Sequence, residues 1–265
     1  MNHPRDWMTG TSYKVSDTAS LMQVRQAGLD CIELVLHGQP WDTDYERLAE
    51  EFTAIFRQAR RAGLEVWSVH LPYGRHWDIS ATDQETREAV AGHLVKVLQL
   101  GESWGVGRAV LHPSYEPIFP EERPLRLEAC QASLRELAAR TAALNIRIAV
   151  ECLPRTCLGN TGDEMLELVS VSDDLIVCCD VNHLLQEKPE QFIRKVGSRI
   201  GTVHLSDYDG KDEKHWMPGE GIIDWNKVLM ELTDQGYQGA FMFEVRNPPP
   251  EALKACRDRI VSNFG

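Results

Sequence analysis

Four apolar segments of the sequence each end in a side chain that can bind a metal ion. Glu151, Asp180, His204 and Glu244 end successive segments, and together they form a set of oxygen and nitrogen ligands. Such a set suits Mn²⁺, Mg²⁺, Co²⁺ or Zn²⁺ and disfavours an ion that seeks thiolates. Because a buried carboxylate is costly unless it is paired or bound to a cation, these residues predict a site for one divalent metal ion.

Further ionisable residues lie in or after segments of the same kind. His70 and His112 end two earlier segments, His183 follows Asp180 by three residues, and Glu33 lies within the second segment. A lone histidine in such a place is often structural, and a salt bridge inside the sheet is the alternative for Glu33. Because packing alone explains so many charged segment ends poorly, all four residues are candidates for an active site, and we expect His70, His112 and Glu33 to bind substrate.

A long polar loop follows the seventh segment. It runs from Asp207 to His215 and continues past Gly219 and Gly221 to Asp224. The simple interpretation is a solvated loop before a helix that Asp224 caps. Long loops in compact domains are often functional, however. We therefore assign His215 to substrate binding. The alternative is that His215 binds a second metal ion.

Short apolar segments that alternate with helical patterns position these residues. The predicted strands are Met8–Ser12, Cys31–Leu36, Val66–Leu71, Arg108–His112, Ile146–Cys152, Leu175–Asp180, Gly201–Leu205 and Ala240–Val245. The predicted helices are Thr18–Ala27, Asp44–Ala62, Asp83–Trp104, Glu121–Leu144, Thr161–Val171, Pro189–Val196, Asp224–Gln235 and Pro250–Asn263. This alternation indicates βαβ units and a parallel sheet.

Eight such units predict an α/β fold, a single (β/α)8 TIM barrel domain over residues 1–265. An open dinucleotide-binding sheet would carry G-x-G-x-x-G after its first strand, and Met8–Val15 has no such motif. In a barrel the C-terminal ends of all strands meet at one face, where active sites form. The predicted fold therefore brings the ionisable residues together.

Composition and charge limit the class of protein. The chain has 28 basic and 40 acidic residues, a formal net charge of −12, which disfavours nucleic acid as a partner. No apolar run approaches the roughly 18–20 residues of a membrane span, and the N-terminus lacks the apolar part of a secretory signal. Seven cysteines without a disulfide or zinc pattern favour a reducing cytoplasm. We expect a cytoplasmic protein with a small-molecule substrate, and the sequence is compatible with a homo-oligomer.

Several motifs together resemble the xylose isomerase-like barrel superfamily, in particular its sugar phosphate isomerase/epimerase branch. They are Val69-His70-Leu71-Pro72, Leu111-His112-Pro113, Val150-Glu151, Cys179-Asp180-Val181-Asn182-His183, Val203-His204-Leu205-Ser206-Asp207, His215…Pro218-Gly219-Glu220-Gly221 and Phe243-Glu244. The resemblance extends from the second predicted strand to the eighth. It implies a role in carbohydrate metabolism, a small sugar as substrate and one divalent metal ion, commonly manganese, magnesium or cobalt, on the four residues described first.

The ketose 3-epimerases of this superfamily imply a mechanism. Their two metal-binding glutamates, here Glu151 and Glu244, act as base and acid on opposite faces of the sugar, and the histidine at position 183 contacts substrate oxygens. The metal ion holds an enediolate, so the resemblance implies a ketose isomerase or epimerase that transfers protons. Those epimerases have an arginine soon after the seventh-strand histidine, which this loop lacks. The sequence also shows no clear cluster of Arg and Lys for a phosphate, which favours unphosphorylated sugars.

Other functions remain as alternatives. Endonuclease IV, a DNA-repair enzyme of the superfamily with three zinc ions, shares most of the histidines and carboxylates, but its Asp-x-His motif reads Glu213-Lys214-His215 here. Inosose dehydratase is a lyase that uses a similar metal site to eliminate water. A non-catalytic barrel that kept the metal site as a small-molecule sensor or scaffold is the third alternative.

Overall fold

The computed structural model describes residues 3–36 and 44–264, in which strands and helices alternate. The strands are β1 (Thr9–Tyr13), β2 (Cys31–Val35), β3 (Glu65–His70), β4 (Arg108–Leu111), β5 (Arg147–Glu151), β6 (Ile176–Asp180), β7 (Ile200–His204) and β8 (Phe241–Phe243). The helices are α1 (Leu21–Gln26), α2 (Tyr45–Ala62), α3 (Gln84–Ser103), α4 (Arg123–Thr141), α5 (Gly162–Val169), α6 (Pro189–Val196), α7 (Trp225–Asp234) and α8 (Pro250–Ser262). Every predicted strand and helix is present, and no end differs by more than three residues.

Local hydrogen bonds determine where several helices begin. Helix α1 begins at Leu21, later than predicted, because Ser20 caps it and accepts a hydrogen bond from the Gln23 N–H at 3.3 Å. Asp224 caps α7 as predicted, and its Oδ1 accepts from the Lys227 N–H at 3.2 Å. Short polar side chains at these positions satisfy amides that the first helical turn leaves unpaired.

The eight strands form one parallel sheet that closes on itself. Neighbouring strands pair in chain order from β1 to β7, and β1 also pairs with β8. A parallel bridge between Leu205 and Phe243 joins the ends of β7 and β8, and the Leu205 N–H donates to the Met242 carbonyl at 2.8 Å. The fold is therefore the predicted TIM barrel.

Side chains fill the inside of the barrel. The Trp67 Nε1–H on β3 donates to Oγ1 of Thr202 on β7 at 3.2 Å, and this bond crosses the interior because the two strands are not neighbours. Arg108, at the start of β4, lies 3.7 Å from the centre of the Trp67 ring. Glycine is required at position 10 because a Cβ there would lie 2.6 Å from Sγ of Cys31. The packed interior leaves the C-terminal ends of the strands, here called the upper rim, as the place for chemistry.

The helices cover the outside of the sheet through one large apolar cluster, in which Phe52 of α2 and Phe192 of α6 are completely buried. All seven cysteines are free and buried, in agreement with the absence of a disulfide pattern in the sequence. In the described part of the chain, no helix combines the length and the apolar character that crossing a membrane requires.

Candidate active and metal site

The upper rim holds the four residues that the sequence predicts as metal ligands, here called the rim quartet. Glu151, Asp180 and His204 are the last residues of β5, β6 and β7, and Glu244 directly follows β8. Nδ1 of His204 lies 3.0 Å from Oε1 of Glu151 and 3.1 Å from Oε2 of Glu244. It also lies 3.9 Å from Oδ2 of Asp180. One ligand atom of each residue lies within 4.8 Å of the other three, so the quartet is compact enough to hold one ion.

Burial and hydrogen bonding of the rim quartet fit a cation. Asp180 and His204 are completely buried and Glu151 is nearly so. Oδ2 of Asp180 is buried without a hydrogen-bond partner among the described residues. Burial raises the pKa of the Asp180 carboxyl well above its usual range, and a nearby divalent cation favours the charged form instead. Carboxylates and an imidazole are ligands that Mn²⁺, Mg²⁺, Co²⁺ and Zn²⁺ accept, so these residues fit a divalent metal ion.

Glu151 also contacts two further histidines. Its Oε2 lies 2.9 Å from Nε2 of His112 and 3.3 Å from Nε2 of His70. Burial of the Glu151 carboxyl favours its neutral form, but His204 and His112 outweigh burial and lower its pKa well below the usual range. Glu151, His70 and His112 make a second group of atoms able to bind a metal ion. The surrounding imidazoles thus favour the charged form of the carboxylate at the centre of this cluster.

The loop after β7 contributes a third group of potential metal ligands: His183, Glu213 and His215. Oε2 of Glu213 lies 3.1 Å from Nε2 of His183 and 3.9 Å from Nε2 of His215. The hydrogen bond with His183, helped by the charge of Arg155, lowers the pKa of Glu213 to about 2. Burial alone would lower the pKa of His183, but the charge of Asp180 and the bond with Glu213 raise it well above its usual value.

Arg155 fastens the β7 loop to the loop after β5. Its Nη1 lies 2.8 Å from Oδ1 of Asp212 and 3.1 Å from Oε1 of Glu213, and its Nε donates to Oε1 of Glu116 at 2.8 Å. Arg155 and His215 both have a φ of 52°, which side-chain-bearing residues rarely adopt unless surrounding contacts hold them there. Arg155 and Glu213 were not predicted as site residues, because a lone loop arginine and an acidic loop are both typical of a solvated surface.

Glu33 lies under the rim quartet. The residue is completely buried on β2, and its Oε1 lies 2.8 Å from Nε2 of His204. Its Oε2 accepts a hydrogen bond from Oγ of Ser68 at 2.6 Å. Glu33 therefore contacts the ring nitrogen of His204 that faces away from Glu151 and Glu244. Through this contact, all the site residues predicted from the sequence lie in one connected group.

A cavity of about 450 Å³ lies beside the rim quartet. Glu244, His215 and Tyr73 line it, together with residues of the loops after β1 and β8. The Tyr73 ring stacks on the ring of His112 with centroids 4.6 Å apart, which connects the cavity to the cluster around Glu151. The volume is in the range of about 300–1,000 Å³ that is typical of small-molecule sites. Tyr73 was not predicted as a site residue, since an aromatic residue after a strand is not specific.

Comparison with known proteins shows similarity over most of the chain. A D-psicose 3-epimerase of Ruminiclostridium cellulolyticum is 26% identical over 252 residues, which cover 91% of this chain and 80% of that protein. An uncharacterized protein of Methanocaldococcus jannaschii is 31% identical over 147 residues, 52% of this chain and only 50% of that protein. The crystal structure of a D-tagatose 3-epimerase-like protein has a TM-score of 0.83 at 22% identity and covers 96% of this chain and 97% of its own.

The family follows from these observations taken together. The solved structure shares the barrel, and the relatives over most of this chain's length include a sugar epimerase. Residues 21–260, from α1 into α8, match the family model described as xylose isomerase-like TIM barrel. This chain, with metal-capable residues at the ends of its barrel strands, belongs to the xylose isomerase-like TIM barrel family.

Proposed function

We propose that this protein is a divalent-metal-dependent isomerase or epimerase of a small sugar. The observation that carries the proposal is the position of two carboxylates around one imidazole nitrogen. Oε1 of Glu151 and Oε2 of Glu244 lie 3.0 and 3.1 Å from Nδ1 of His204, and Glu244 also lines the cavity. Two glutamates of a metal-binding cluster beside a small-molecule cavity are the groups that proton transfer next to a carbonyl requires.

The rim quartet would hold the metal ion, which supplies several kcal/mol of stabilisation to the negative charge that develops on a sugar carbonyl. The two glutamates move the proton. His204 opposes the effect of burial and lowers the pKa of both Glu151 and Glu244, so both begin as bases. The glutamate that removes the proton from the carbon beside the carbonyl becomes an acid that can return a proton on its own face. Return to the opposite face requires that the other glutamate first takes up a proton from solvent, which it then donates.

The place where the proton returns determines the reaction. Return to the opposite face of the same carbon gives an epimer, and return to the adjacent carbon interconverts a ketose and an aldose. His70, His112 and His183 lie 3.3, 2.9 and 3.7 Å from the Glu151 carboxylate, and His215 lines the cavity beside Glu244. These imidazoles would donate hydrogen bonds to sugar oxygens. The similarity to a D-psicose 3-epimerase over 91% of the chain supports a ketose as the substrate.

A phosphodiester hydrolase with a multinuclear zinc site is the second candidate. The observation that favours it is the presence, among the described residues, of three adjacent groups made of histidines and carboxylates alone. Metal ions held about 3.5–4 Å apart can stabilise both the attacking and the leaving oxygen of a phosphodiester. The net charge of −12 opposes binding of a nucleic acid, which is why the sugar reaction is our first choice.

Metal analysis combined with proton exchange tests the proposal. The purified protein is loaded with Mn²⁺, Mg²⁺, Co²⁺ or Zn²⁺, freed of excess ion and analysed for metal. It is then incubated in D₂O with a panel of ketoses and ketose phosphates, and NMR follows the C–H beside each carbonyl. We expect one ion per chain and deuterium incorporation into at least one sugar. Two or three ions per chain with no exchange in any sugar would reject the proposal and favour the hydrolase.

A further inference from the structure

The cavity beside the rim quartet contains two cationic side chains that proton transfer does not use. Lys14 directly follows β1, Arg246 lies just beyond β8, and both line the cavity. The two residues lie near opposite ends of the chain and line the same cavity because β1 and β8 are neighbours in the closed barrel. Two positive charges on the wall of one small cavity attract an anionic ligand.

Neither charge is paired with a carboxylate within residues 3–36 and 44–264. Asp17 and Glu244 are the acidic residues among the described cavity lining. Oδ2 of Asp17 accepts the backbone N–H of Lys14 at 2.7 Å, so this carboxylate takes part in the turn after β1. The backbone N–H of Arg246 donates to the His215 carbonyl at 3.2 Å, which fixes its backbone and leaves the guanidinium group available.

Further groups that suit an anion surround these two side chains. Ser12, Ser16, Thr18 and Asn247, whose side chains can form hydrogen bonds with an anion, line the same cavity. Helix α8 begins at Pro250, which also lines the cavity, and the N-terminus of a helix carries a partial positive charge. In TIM barrels the loops after the last strands often bind phosphate. The position of the cavity, the charge of its lining and its hydrogen-bonding capacity thus all suit an anionic ligand.

We propose that Lys14 and Arg246 bind an anionic group of the sugar, a phosphate or a carboxylate, while the reacting carbon lies beside Glu244. The inference rests on the proposed isomerase or epimerase function and adds the class of its substrate. It departs from the expectation of unphosphorylated sugars, which followed from the lack of a cationic cluster in the sequence. A guanidinium group can bind either anion through two parallel hydrogen bonds, and the lysine adds a point charge.

Binding measurements on the metal-loaded protein test this assignment. Isothermal titration calorimetry at low salt compares fructose, fructose 6-phosphate and fructuronate. We expect one of the two anionic sugars to bind about 10- to 100-fold more tightly than fructose, the effect of one or two charge-assisted hydrogen bonds. A preference for fructose 6-phosphate identifies a phosphate, and a preference for fructuronate identifies a carboxylate.

Three variants locate the site. Lys14→Met and Arg246→Met should each reduce the preference for the anionic sugar by about tenfold or more. Arg135→Met is the matched control, because Arg135 is an exposed arginine on α4 that does not line the cavity, and it should keep the preference. Thermal melting verifies that each variant is folded. Equal affinity for all three sugars, or a preference that survives both cavity variants, overturns the proposal.

The deuterium exchange experiment separates this proposal from the one on which it rests. If an anionic sugar binds through Lys14 and Arg246 but no sugar exchanges its proton, the isomerase proposal fails and the anion site stands. If neutral ketoses exchange and the anionic sugars bind no more tightly, the anion site fails and the isomerase proposal stands.

Discussion

Oε1 of Glu33 lies 2.8 Å from Nε2 of His204, whereas Glu151 and Glu244 lie beside Nδ1 of the same ring. The other oxygen of Glu33 is held by Oγ of Ser68 at 2.6 Å, and both Glu33 and Ser68 are completely buried. A carboxylate on the far nitrogen of a metal-binding histidine fixes the orientation of the ring and makes it a better ligand. We therefore infer that Glu33 positions His204.

Replacement of Glu33 tests this role. We predict that Glu33→Gln weakens metal binding by about 10- to 100-fold, the usual effect of losing such a partner, and that excess metal restores most of the activity. Metal titration followed by activity at saturating metal measures both effects. Glu65→Gln is the control, since Glu65 lies on the neighbouring strand but is exposed. Normal metal affinity with a raised KM would instead assign Glu33 to direct substrate binding.

Replacement of either glutamate of the proposed acid–base pair should stop the reaction. An amide cannot act as a general base at neutral pH. Glu151→Gln and Glu244→Gln should therefore each lower kcat by about 10²–10⁴-fold, even at saturating metal. Steady-state kinetics on the exchanging sugar measures the loss, and circular dichroism verifies the fold. Glu167→Gln, at an exposed position on α5, should be as active as the unaltered protein. A Glu244→Gln protein with normal metal content and near-normal rate would remove Glu244 from the mechanism.

The sequence predicted the barrel and the rim quartet because both leave local signals. A buried parallel strand is a short apolar run, and Glu151, Asp180 and His204 interrupt such runs at their last residue. In a barrel all these ends meet at one face. The chain order of the strands and the type of the last residue are therefore enough to predict which side chains come together.

Contacts between loops left no such signal. Arg155 and Glu213 belong to loops after different strands, and their pairing depends on how these loops fold over the rim. Lys14 and Arg246 share a cavity only because the first and last strands pair, and in the sequence each looks like an ordinary surface residue. The type of a loop residue does not determine which other loop it contacts, so these features required the structure.

Removal of the metal ion should stop activity and leave the fold intact. The rim quartet lies above an interior that is already filled by side chains such as Trp67 and Thr202, so the barrel does not need the ion to fold. An ion present at 100 times its dissociation constant stabilises the native state by about 2.7 kcal/mol, which corresponds to about 5–10 °C in melting temperature for a chain of this size. Melting curves and activity are measured with and without a chelator. Complete unfolding upon chelation would show that the site is structural.

Arg155 should matter for catalysis although it lies outside the rim quartet. Its bonds to Asp212 and Glu213 hold the β7 loop, which carries His215, against the loop after β5. We predict that Arg155→Met lowers kcat/KM by about tenfold, the equivalent of one charge-assisted hydrogen bond, and that Arg155→Lys recovers part of the loss.

Arg199→Met is the control for general loss of stability. Arg199 makes hydrogen bonds to backbone carbonyls, including that of Val169 at 3.1 Å, but it precedes β7 and lies at the opposite end of the barrel. Both variants are assayed well below their melting temperatures. An equal decrease in kcat/KM for Arg155→Met and Arg199→Met would contradict a specific role of Arg155 in holding the loop.

The last prediction separates the sugar reaction from the hydrolase. We predict that the zinc-loaded protein does not cleave DNA at an abasic site. Binding a duplex takes several phosphate contacts from Lys and Arg, and non-specific affinity depends on them. The chain has a net charge of −12, and Asp209, Asp212 and Glu213 lie on the β7 loop beside the candidate site. The three groups of histidines and carboxylates are the contrary observation, because they offer the ligands that a multinuclear site needs.

The assay conditions are chosen so that any hydrolase activity would be easy to detect. A duplex with one abasic site is incubated with zinc-loaded protein at low salt, where phosphate contacts are strongest. Glu151→Gln protein, purified in parallel, serves as the control for a contaminating nuclease, because Glu151 belongs to two of the three groups and its replacement should disable any zinc-dependent cleavage by this chain. Incision by the unaltered protein that is absent with Glu151→Gln would establish the hydrolase. Incision at equal rates with both proteins would come from a contaminant, and no incision with either agrees with a metal-dependent sugar enzyme.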